Sequence, residues 1–265
     1  MSYPQSKPAS SFFWLFKLGL VQHRAAARRT EQGLTLIEGL IAIVVISITV
    51  VSITPPIFWA TASRVQTQRA EQALKLAQGE IDRVRTTIER DEASSLNRLP
   101  PVAGDEATVR RSMADPTAIA APSTAKANGK IISSKDCGTA NDDGNAPSAV
   151  GQYLRVDVNG DCNPDFFVQT FRSAGLNEDG GRFDGGATQK LSAFVMGVRV
   201  YSIVAETELN AGRGQTQPAS LKGTSGLGNQ RNRPLAVLYS TIVRSTDSNN
   251  LDLYRSICRN KDAGC

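Results

Sequence analysis

The densest group of potential ligand residues is a nine-residue run in which every second side chain carries oxygen. Its members are Asp157, Asn159, Asp161, Asn163 and Asp165. Alternating oxygen ligands can wrap around calcium, although the run lacks the late bidentate Glu that completes the common calcium loop. The same residue types form tight turns, so a polar hairpin turn is an equally good interpretation. Calcium is therefore the one candidate cofactor, and it would stabilise a loop rather than take part in catalysis.

Four cysteines offer a second kind of chemistry. They are Cys137, Cys162, Cys258 and Cys265, and all follow the apolar segment described below, on its outward side. An even number of cysteines in an oxidising compartment indicates disulfides. Cys258 with Cys265 would close a short C-terminal loop, and Cys137 with Cys162 would join a linking segment to a hairpin, but the other pairings stay open. A four-thiolate zinc site is disfavoured because the sequence has no C-x-x-C pair.

The sequence offers no catalytic constellation of an ordinary kind. The only histidine, His23, lies in a segment that we expect to be removed, so a mature chain would have no Ser-His-Asp triad and no imidazole metal ligand. The Gly212-Arg-Gly214 run lacks the Gly-Lys-Ser ending of a phosphate-binding loop. Asp142 and Asp143 are best explained as a solvated turn. We therefore expect a protein that is not an enzyme.

The element that must position these residues begins with an apolar segment near the N-terminus. Residues Leu34–Ile53 carry one charge, Glu38, and a helix of this length spans about 30 Å, the thickness of a bilayer core. Arg24, Arg28 and Arg29 precede it, which keeps the N-terminus cytoplasmic and sends the C-terminus outward. A buried core helix is disfavoured by the missing polar face, and a secretory signal peptide by the missing A-x-A-like cleavage site.

The start of this segment, Gly33-Leu34-Thr35-Leu36-Ile37-Glu38, resembles the processing site of type IV prepilins and pseudopilins. The resemblance implies that a prepilin peptidase cuts after Gly33 and methylates the new N-terminus at Leu34, where the family usually has Phe. Residues 1–33 would then be a cleaved leader. The resemblance also implies that Glu38, the fifth mature residue, pairs with the N-terminal amine of a neighbouring subunit.

Elementary electrostatics gives a reason for such a pair. A carboxylate alone in lipid is costly, and so is a lone ammonium group. Side-by-side packing of subunits lets the two charges compensate each other, and this could set the axial register of a filament. The alternative is that the Glu38 side chain reaches the headgroup region from near the helix end.

The apolar segment continues into a second, amphipathic half of the helix. We take residues 34–53 as the membrane-spanning half and 54–92 as the outward half, with a kink at Pro55 and Pro56 because each proline removes a backbone donor. The family often has a helix-kinking proline at this place. Apolar residues of the outward half recur mostly every three or four positions, which predicts a face that packs against a C-terminal domain. They are Phe58, Ala62, Val65, Ala73, Leu76, Ile81, Val84 and Ile88.

The remainder of the chain divides into a linking segment and a strand-rich domain. Residues 93–148 are rich in Ala, Pro, Ser, Asp and Gly, which predicts irregular structure. Residues 149–265 contain five β-rich runs, with a long loop predicted over 206–233. The predicted strands are Gln152–Val158, Phe166–Phe171, Leu191–Val204, Leu235–Arg244 and Leu251–Ile257. The sequence thus predicts an α+β fold, in which a long kinked helix precedes an antiparallel sheet, as in pilin-like proteins.

A finer resemblance concerns cyanobacterial pseudopilins of the hormogonium polysaccharide secretion type. Five stretches carry it: Ile53-Thr-Pro-Pro-Ile-Phe58, Arg64-Val-Gln, Arg69-Ala-Glu-Gln-Ala-Leu74, Ala77-Gln78 and Glu80-Ile-Asp-Arg-Val84. It implies a pseudopilin or minor pilin, a structural subunit of a type IV pilus-like or secretion filament that serves polysaccharide export and gliding. The implied partners are other pilin-like subunits, the prepilin peptidase and an inner-membrane assembly platform. The expected location is the inner membrane, crossed once, with the C-terminal domain periplasmic or extracellular.

The charge distribution bears on the choice of partner. Five basic residues against Glu31 give residues 1–33 a net charge of +4, which leaves +1 of the total of +5 for the rest of the chain. A nucleic-acid partner is therefore not expected. The alternative function is a membrane-anchored periplasmic module that binds calcium or a glycan and keeps its anchor uncleaved.

Overall fold

The computed structural model describes residues 35–90, 93–126, 130–185, 189–220, 228–246 and 248–258. The fold is α+β, and the chain divides into two compact units, one ending at Ser52 and the other beginning at Ile53. Helix α1 runs over Leu36–Glu89, and its backbone stays helical through both prolines, Pro55 and Pro56. The kink predicted at these two residues therefore does not end the helix.

The first part of α1 has the properties of a membrane span. The 20 residues Leu36–Pro55 have a mean hydropathy of 2.6, and none of this stretch is buried within the protein. A helix of this length measures about 30 Å, which matches a bilayer core. Among the residues described, this is the one helix that is long and apolar enough to cross a membrane.

The second part of α1 supplies one layer of the core of the second unit. Its buried residues, Ala73, Ala77, Ile81, Val84 and Ile88, follow one another at spacings of three or four, so they form a single stripe. Val65, which we predicted to lie on the packing face, is half exposed. The side chains of Phe58 and Ala62 lie outside the described part of the chain. Among the described side chains of α1, the buried face thus begins at Ala73.

The sheet of the second unit is mixed, not purely antiparallel as predicted. Its long strands, β4 (Gln152–Asp157), β5 (Phe166–Ser173), β7 (Leu191–Ser202) and β8 (Ala236–Val243), pair antiparallel in this order. A short β6 (Leu176–Asn177) also pairs antiparallel with β7. Three further short strands add in parallel: β1 (Val102–Gly104) to β5, and both β2 (Thr124–Ala125) and β3 (Ile131–Ser133) to β4.

These parallel strands belong to residues 93–148, where we predicted an irregular linking segment. Besides the strands, this segment contains α2 (Glu106–Ala114), and it buries Val109, Ile119 and Ile131. Its elements are only two to nine residues long and show no sustained periodicity, so local sequence could not reveal them. They are stabilised by packing against the long strands, which makes the segment part of the folded body.

Both faces of the sheet are covered. On one face, residues such as Val168, Met196 and Val200 pack with the α1 stripe. On the other, Val195 packs with residues of α2 and of the C-terminal helix. Every residue of β5 and β7 is therefore buried, which explains why apolar residues do not alternate regularly with polar ones in these strands.

The prediction of a strand over Leu251–Ile257 is wrong, because Asn250–Cys258 forms helix α4. Leu253 and Ile257 lie four residues apart and are both buried, which is helical spacing that we took for strand alternation. The predicted long loop over 206–233 likewise contains a short helix, α3 (Glu206–Asn210). Residues 221–227 of that loop lie outside the description.

A buried arginine fixes the chain that covers the second face. Arg199 is fully buried on β7, and its guanidinium lies over the Phe171 ring at 4.9 Å. It donates to the carbonyls of Ile119 at 2.9 Å and Pro116 at 2.8 Å. Gln169 Nε2 adds a bond to the carbonyl of Ala120 at 2.9 Å. Residues 116–120 are thereby attached to the sheet through their backbone, and charge-assisted bonds of this kind are among the stronger ones.

Candidate functional site

The predicted processing site is only partly described. Gly33 and Leu34 lie outside the described residues, and the description begins at Thr35. Glu38 lies in the first turn of α1 and is exposed, and its N–H donates to the carbonyl of Thr35 at 2.9 Å. A carboxylate in this position is favoured by the partial positive charge of the helix N-terminus. Within the described residues Glu38 has no ion-pair partner.

The acidic run forms the turn between β4 and β5, and its oxygens face the backbone of that turn. Asp157 is buried and accepts from Ser133 Oγ at 2.7 Å, from the N–H of Gly160 at 2.7 Å and from that of Cys162 at 2.9 Å. Desolvation opposes ionisation of Asp157, but these hydrogen bonds outweigh it and lower its pKa. The carboxylate is therefore a structural acceptor that holds the turn together.

The other members of the run behave in the same way. Asp165 Oδ2 accepts from the N–H of Val158 at 2.9 Å. Asn159 Oδ1 accepts from the N–H of Asp161 at 2.9 Å, and Asp161 Oδ1 from that of Asn163 at 2.8 Å. Side chains that bond the backbone two residues onward are typical of Asx turns. This geometry favours the polar hairpin turn over a preformed calcium cage, while the calcium prediction stays open to experiment.

Calcium binding has a direct test in thermal unfolding. If the run binds calcium at the weak affinity of extracellular sites, about 0.1–1 mM, then 10 mM calcium should raise the melting temperature of a fragment starting at Ile53 by several degrees, through mass action. Magnesium should raise it less. Asp161→Ala should abolish the calcium effect, whereas Asp179→Ala, in another exposed turn, should not. If neither calcium nor a chelator changes the melting temperature, the run is a polar hairpin turn and not a calcium site.

A disulfide joins this turn to the preceding segment. Cys137 and Cys162 are bonded, with their Cα atoms 5.7 Å apart. Cys162 adopts a positive φ of 64°, which is unusual outside glycine. The two sulfur atoms and an Asp157 oxygen lie within 4.8 Å of one another, but the sulfurs are bonded to each other and are not thiolate ligands. Of the two tentative pairings, this one is present in the structure.

The second tentative pairing is described only in part. Cys258 is disulfide-bonded, and Cys265, its predicted partner, lies outside the described residues. The Arg110 guanidinium also approaches the Cys258 sulfur, with Nη2 at 3.8 Å. This contact brings the end of α4 next to α2.

Loss of the Cys137–Cys162 disulfide should lower the stability of the folded body. The bond closes a loop with a sequence separation of 25, and loop-closure entropy then predicts a loss of about 3 kcal/mol in the free energy of unfolding. The measurement is urea unfolding of the Cys137→Ser/Cys162→Ser double variant against the parent. An unchanged midpoint would mean that the hydrogen bonds of Asp157 already hold the turn.

The solvated turn that we predicted at Asp142 and Asp143 holds for Asp143, whose side chain is half exposed, but not for Asp142. Lys126 Nζ contacts Asp142 Oδ2 at 2.6 Å and Asp143 Oδ1 at 2.5 Å, and the side chains of Lys126 and Asp142 are largely buried. The hydrogen bonds from Lys126 and from the N–H of Asn145 lower the pKa of Asp143 far below its usual value. This ion pair connects β2 to the chain that follows β3.

A cavity of about 730 Å³ lies between residues 117–123 and 212–217. Arg233 borders it and donates to Gln215 Oε1 at 2.6 Å. No aromatic side chain is among its described lining residues, and polar groups share the lining with Ala120, Ala121 and Pro122, whereas small-ligand pockets are usually lined mainly by apolar and aromatic side chains. Arg213, in the glycine run considered for phosphate, pairs instead with Glu208 at 2.7 Å.

Sequence reasoning missed Ser133 and Lys126, the residues that bond to the carboxylates of Asp157 and Asp142. Ser133 and Lys126 lie in the segment predicted to be irregular, and nothing in their spacing relates them to Asp157 or Asp142. Arg199 carried a better signal, since an arginine in the middle of the apolar run of β7 requires buried acceptors.

Comparison with known proteins adds no relative. No protein-family model, no curated protein and no solved structure matches this chain. The functional argument therefore rests on the chain's own residues.

Proposed function

We propose that the chain is a pseudopilin or minor pilin, a structural subunit of a type IV pilus-like or secretion filament. The observation that carries the proposal is an arrangement of residues. Gly33 directly precedes an apolar segment, and Glu38 is the one charge in that segment, in the first turn of a helix that could cross a membrane. A helix whose first half is exposed and apolar needs lipid or other helices around it. Its one carboxylate then needs a cation from a neighbouring molecule.

The body of the protein supports a mechanical role. The unit that begins at Ile53 is compact, and its conspicuous polar groups, Arg199, Asp157 and Lys126, bond to the protein itself. Groups used in this way stabilise structure and do not face a substrate. We propose a structural protein rather than an enzyme.

The finer assignment follows the resemblance given above. We propose that the filament acts in polysaccharide export and gliding, with other pilin-like subunits, the prepilin peptidase and an assembly platform as partners. The subunit would cross the inner membrane once, with its C-terminal unit outside the cytoplasm. The position of the basic residues Arg24, Arg28 and Arg29 supports this orientation.

The test is the N-terminus of the mature chain. Mass spectrometry of protein purified from its native membrane should show a chain that starts at Leu34 with a methylated amine. Gly33→Val should block the cut and leave the full-length precursor, while Gly39→Val, six residues beyond and with open space around its Cα, should be processed normally. A wild-type chain that keeps its first 33 residues would support the anchored binding module instead.

A further inference from the structure

Strand β8 is the long open edge of the sheet. In the described residues β8 pairs with β7 and with no other strand. Its residues Val237–Thr241 are all partly exposed, whereas every residue of the neighbouring β7 is buried. The opposite edge of the sheet is formed by β2 and β3, which have two and three residues. Of the described strands, only β8 therefore offers an edge long enough to accept a further strand.

The hydrogen-bonding groups that β8 turns outward follow from its register. The N–H of Arg244 donates to the carbonyl of Ser192 at 2.8 Å, so this directly opposed pair is a hydrogen-bonded one. Antiparallel ladders alternate such pairs with non-bonded ones. The residues that turn their N–H and C=O away from β7 are therefore Val237, Tyr239, Thr241 and Val243.

This edge lacks the devices by which proteins usually protect open strands. Its eight residues, Ala-Val-Leu-Tyr-Ser-Thr-Ile-Val, contain no charge and no proline, and the pairing with β7 runs through all eight without a bulge. Natural sheets protect their edges with lysine, proline, bulges or very short strands. A regular and uncharged edge of this length is a template for another strand.

We propose that β8 is a contact surface between two copies of this chain, in which β8 of one copy pairs antiparallel with β8 of the other, centred on Ser240. The four outward residues are arranged symmetrically about Ser240. With this centre Val237 faces Val243 of the second copy and Tyr239 faces Thr241, which makes four hydrogen-bonded pairs and about eight hydrogen bonds. Centres at Tyr239 or Thr241 would allow only three such pairs.

The second copy is favoured as the occupant for two reasons. The strand has no charge with which to select a charged partner or to repel itself. Moreover, β8 is the only described strand of more than three residues with a free edge, so a strand contact between copies has to join β8 to β8. A single strand pair buries less than a stable interface requires, but anchoring two chains in one membrane would raise their effective concentration to about the millimolar range.

The experiment uses the full chain in proteoliposomes without any assembly machinery. At the proposed centre, Ser240 of the two copies form a non-bonded pair whose Cα atoms lie about 4.5 Å apart, which is within disulfide range. Ser240→Cys should therefore form a covalent dimer under mild oxidation. Thr241→Cys, on the same strand but opposite Tyr239 of the second copy, should form it several-fold less. Cys137, Cys162 and Cys258 are already in disulfides and do not compete.

Two additional changes separate pairing from folding. In the Ser240→Cys background, Thr241→Pro removes an outward N–H without removing a bond to β7, and Thr241→Lys adds a charge at the edge. Both should reduce the dimer several-fold while the melting temperature stays close to that of the parent. Equal cross-linking at positions 240 and 241, or no dimer at all, would overturn the proposal. Because no filament is needed, the result is independent of the proposed filament role.

Discussion

Replacing Glu38 by alanine should leave the chain in the membrane but prevent its assembly into filaments. Membrane insertion should persist, because the change removes the only charge of the apolar stretch. Assembly should fail if a neighbour's N-terminal amine loses its counter-charge, since an uncompensated buried charge costs about 3–5 kcal/mol. Repeated at every subunit, this cost would reduce the sheared or pelleted filament fraction at least tenfold.

The comparison needs variants that separate charge from shape. Glu38→Gln keeps the size of the side chain and should assemble as poorly as Glu38→Ala, whereas Glu71→Ala, an exposed position in the second half of α1, should assemble normally. Quantitative immunoblots of membrane and filament fractions report both steps. Normal filaments from both Glu38 variants would mean that the carboxylate only reaches the headgroups.

The second large effect is expected in the core, at Gly197. This residue of β7 lies between Phe171 on β5 and Tyr239 on β8 in the register of the sheet. The two rings meet above it, with centroids 6.1 Å apart, and an added Cβ would come within 2.8 Å of Tyr239 Cε1 and closer still to the Phe171 ring. Gly197→Ala should therefore lower the free energy of unfolding by about 1–3 kcal/mol.

A matched glycine and a compensating change make this prediction specific. Gly79, on α1, has open space around its Cα, so Gly79→Ala should be neutral or stabilising by about 0.5–1 kcal/mol. Phe171→Leu removes the ring atoms with which the new methyl group of Gly197→Ala would clash. The double variant should therefore lose less stability than the sum of the single changes. Additive losses in urea unfolding would show that the ring contact is not the cause.

Tyr239 also makes a hydrogen bond that Gly197→Ala would disturb. Its hydroxyl donates to the carbonyl of Ser112 at 2.8 Å, which attaches the end of α2 to the sheet. A shifted ring would weaken this bond as well. The expected loss at Gly197 therefore reaches the covering segment in addition to the strands.

The sequence predicted the central strands well and the covering elements poorly. β4, β5, β7 and β8 are close to their predicted bounds because Val, Ile, Phe and Tyr are concentrated in them. Leu251–Ile257 was misassigned because three apolar residues in seven positions fit a strand and a helix alike. The parallel edge strands have two or three residues each, and partners distant in the chain determine them.

In the candidate sites, too, local features could be predicted from the sequence and contacts between distant residues could not. The turn chemistry of Asp157–Asp165 is local, so it could be predicted from the residues, including the hairpin alternative that the geometry favours. The support from Ser133 depends on a strand pairing between β3 and β4, which no local pattern encodes. Glu38 was identified from its isolation in an apolar run, a signal that survives without tertiary structure.

The C-terminal position of α4 has a consequence for the order in which the protein can fold. Leu253 and Ile257 complete the cluster that contains Val195 and Phe171, yet they follow every described strand of the sheet along the chain. Before they pack, Val195 and Phe171 are covered only in part, by earlier residues such as Val109 and Ile119, and contacts this distant in sequence form slowly. The chain thus presents part of an apolar sheet surface until α4 packs, and a chaperone that holds exposed strands would be needed most in that interval.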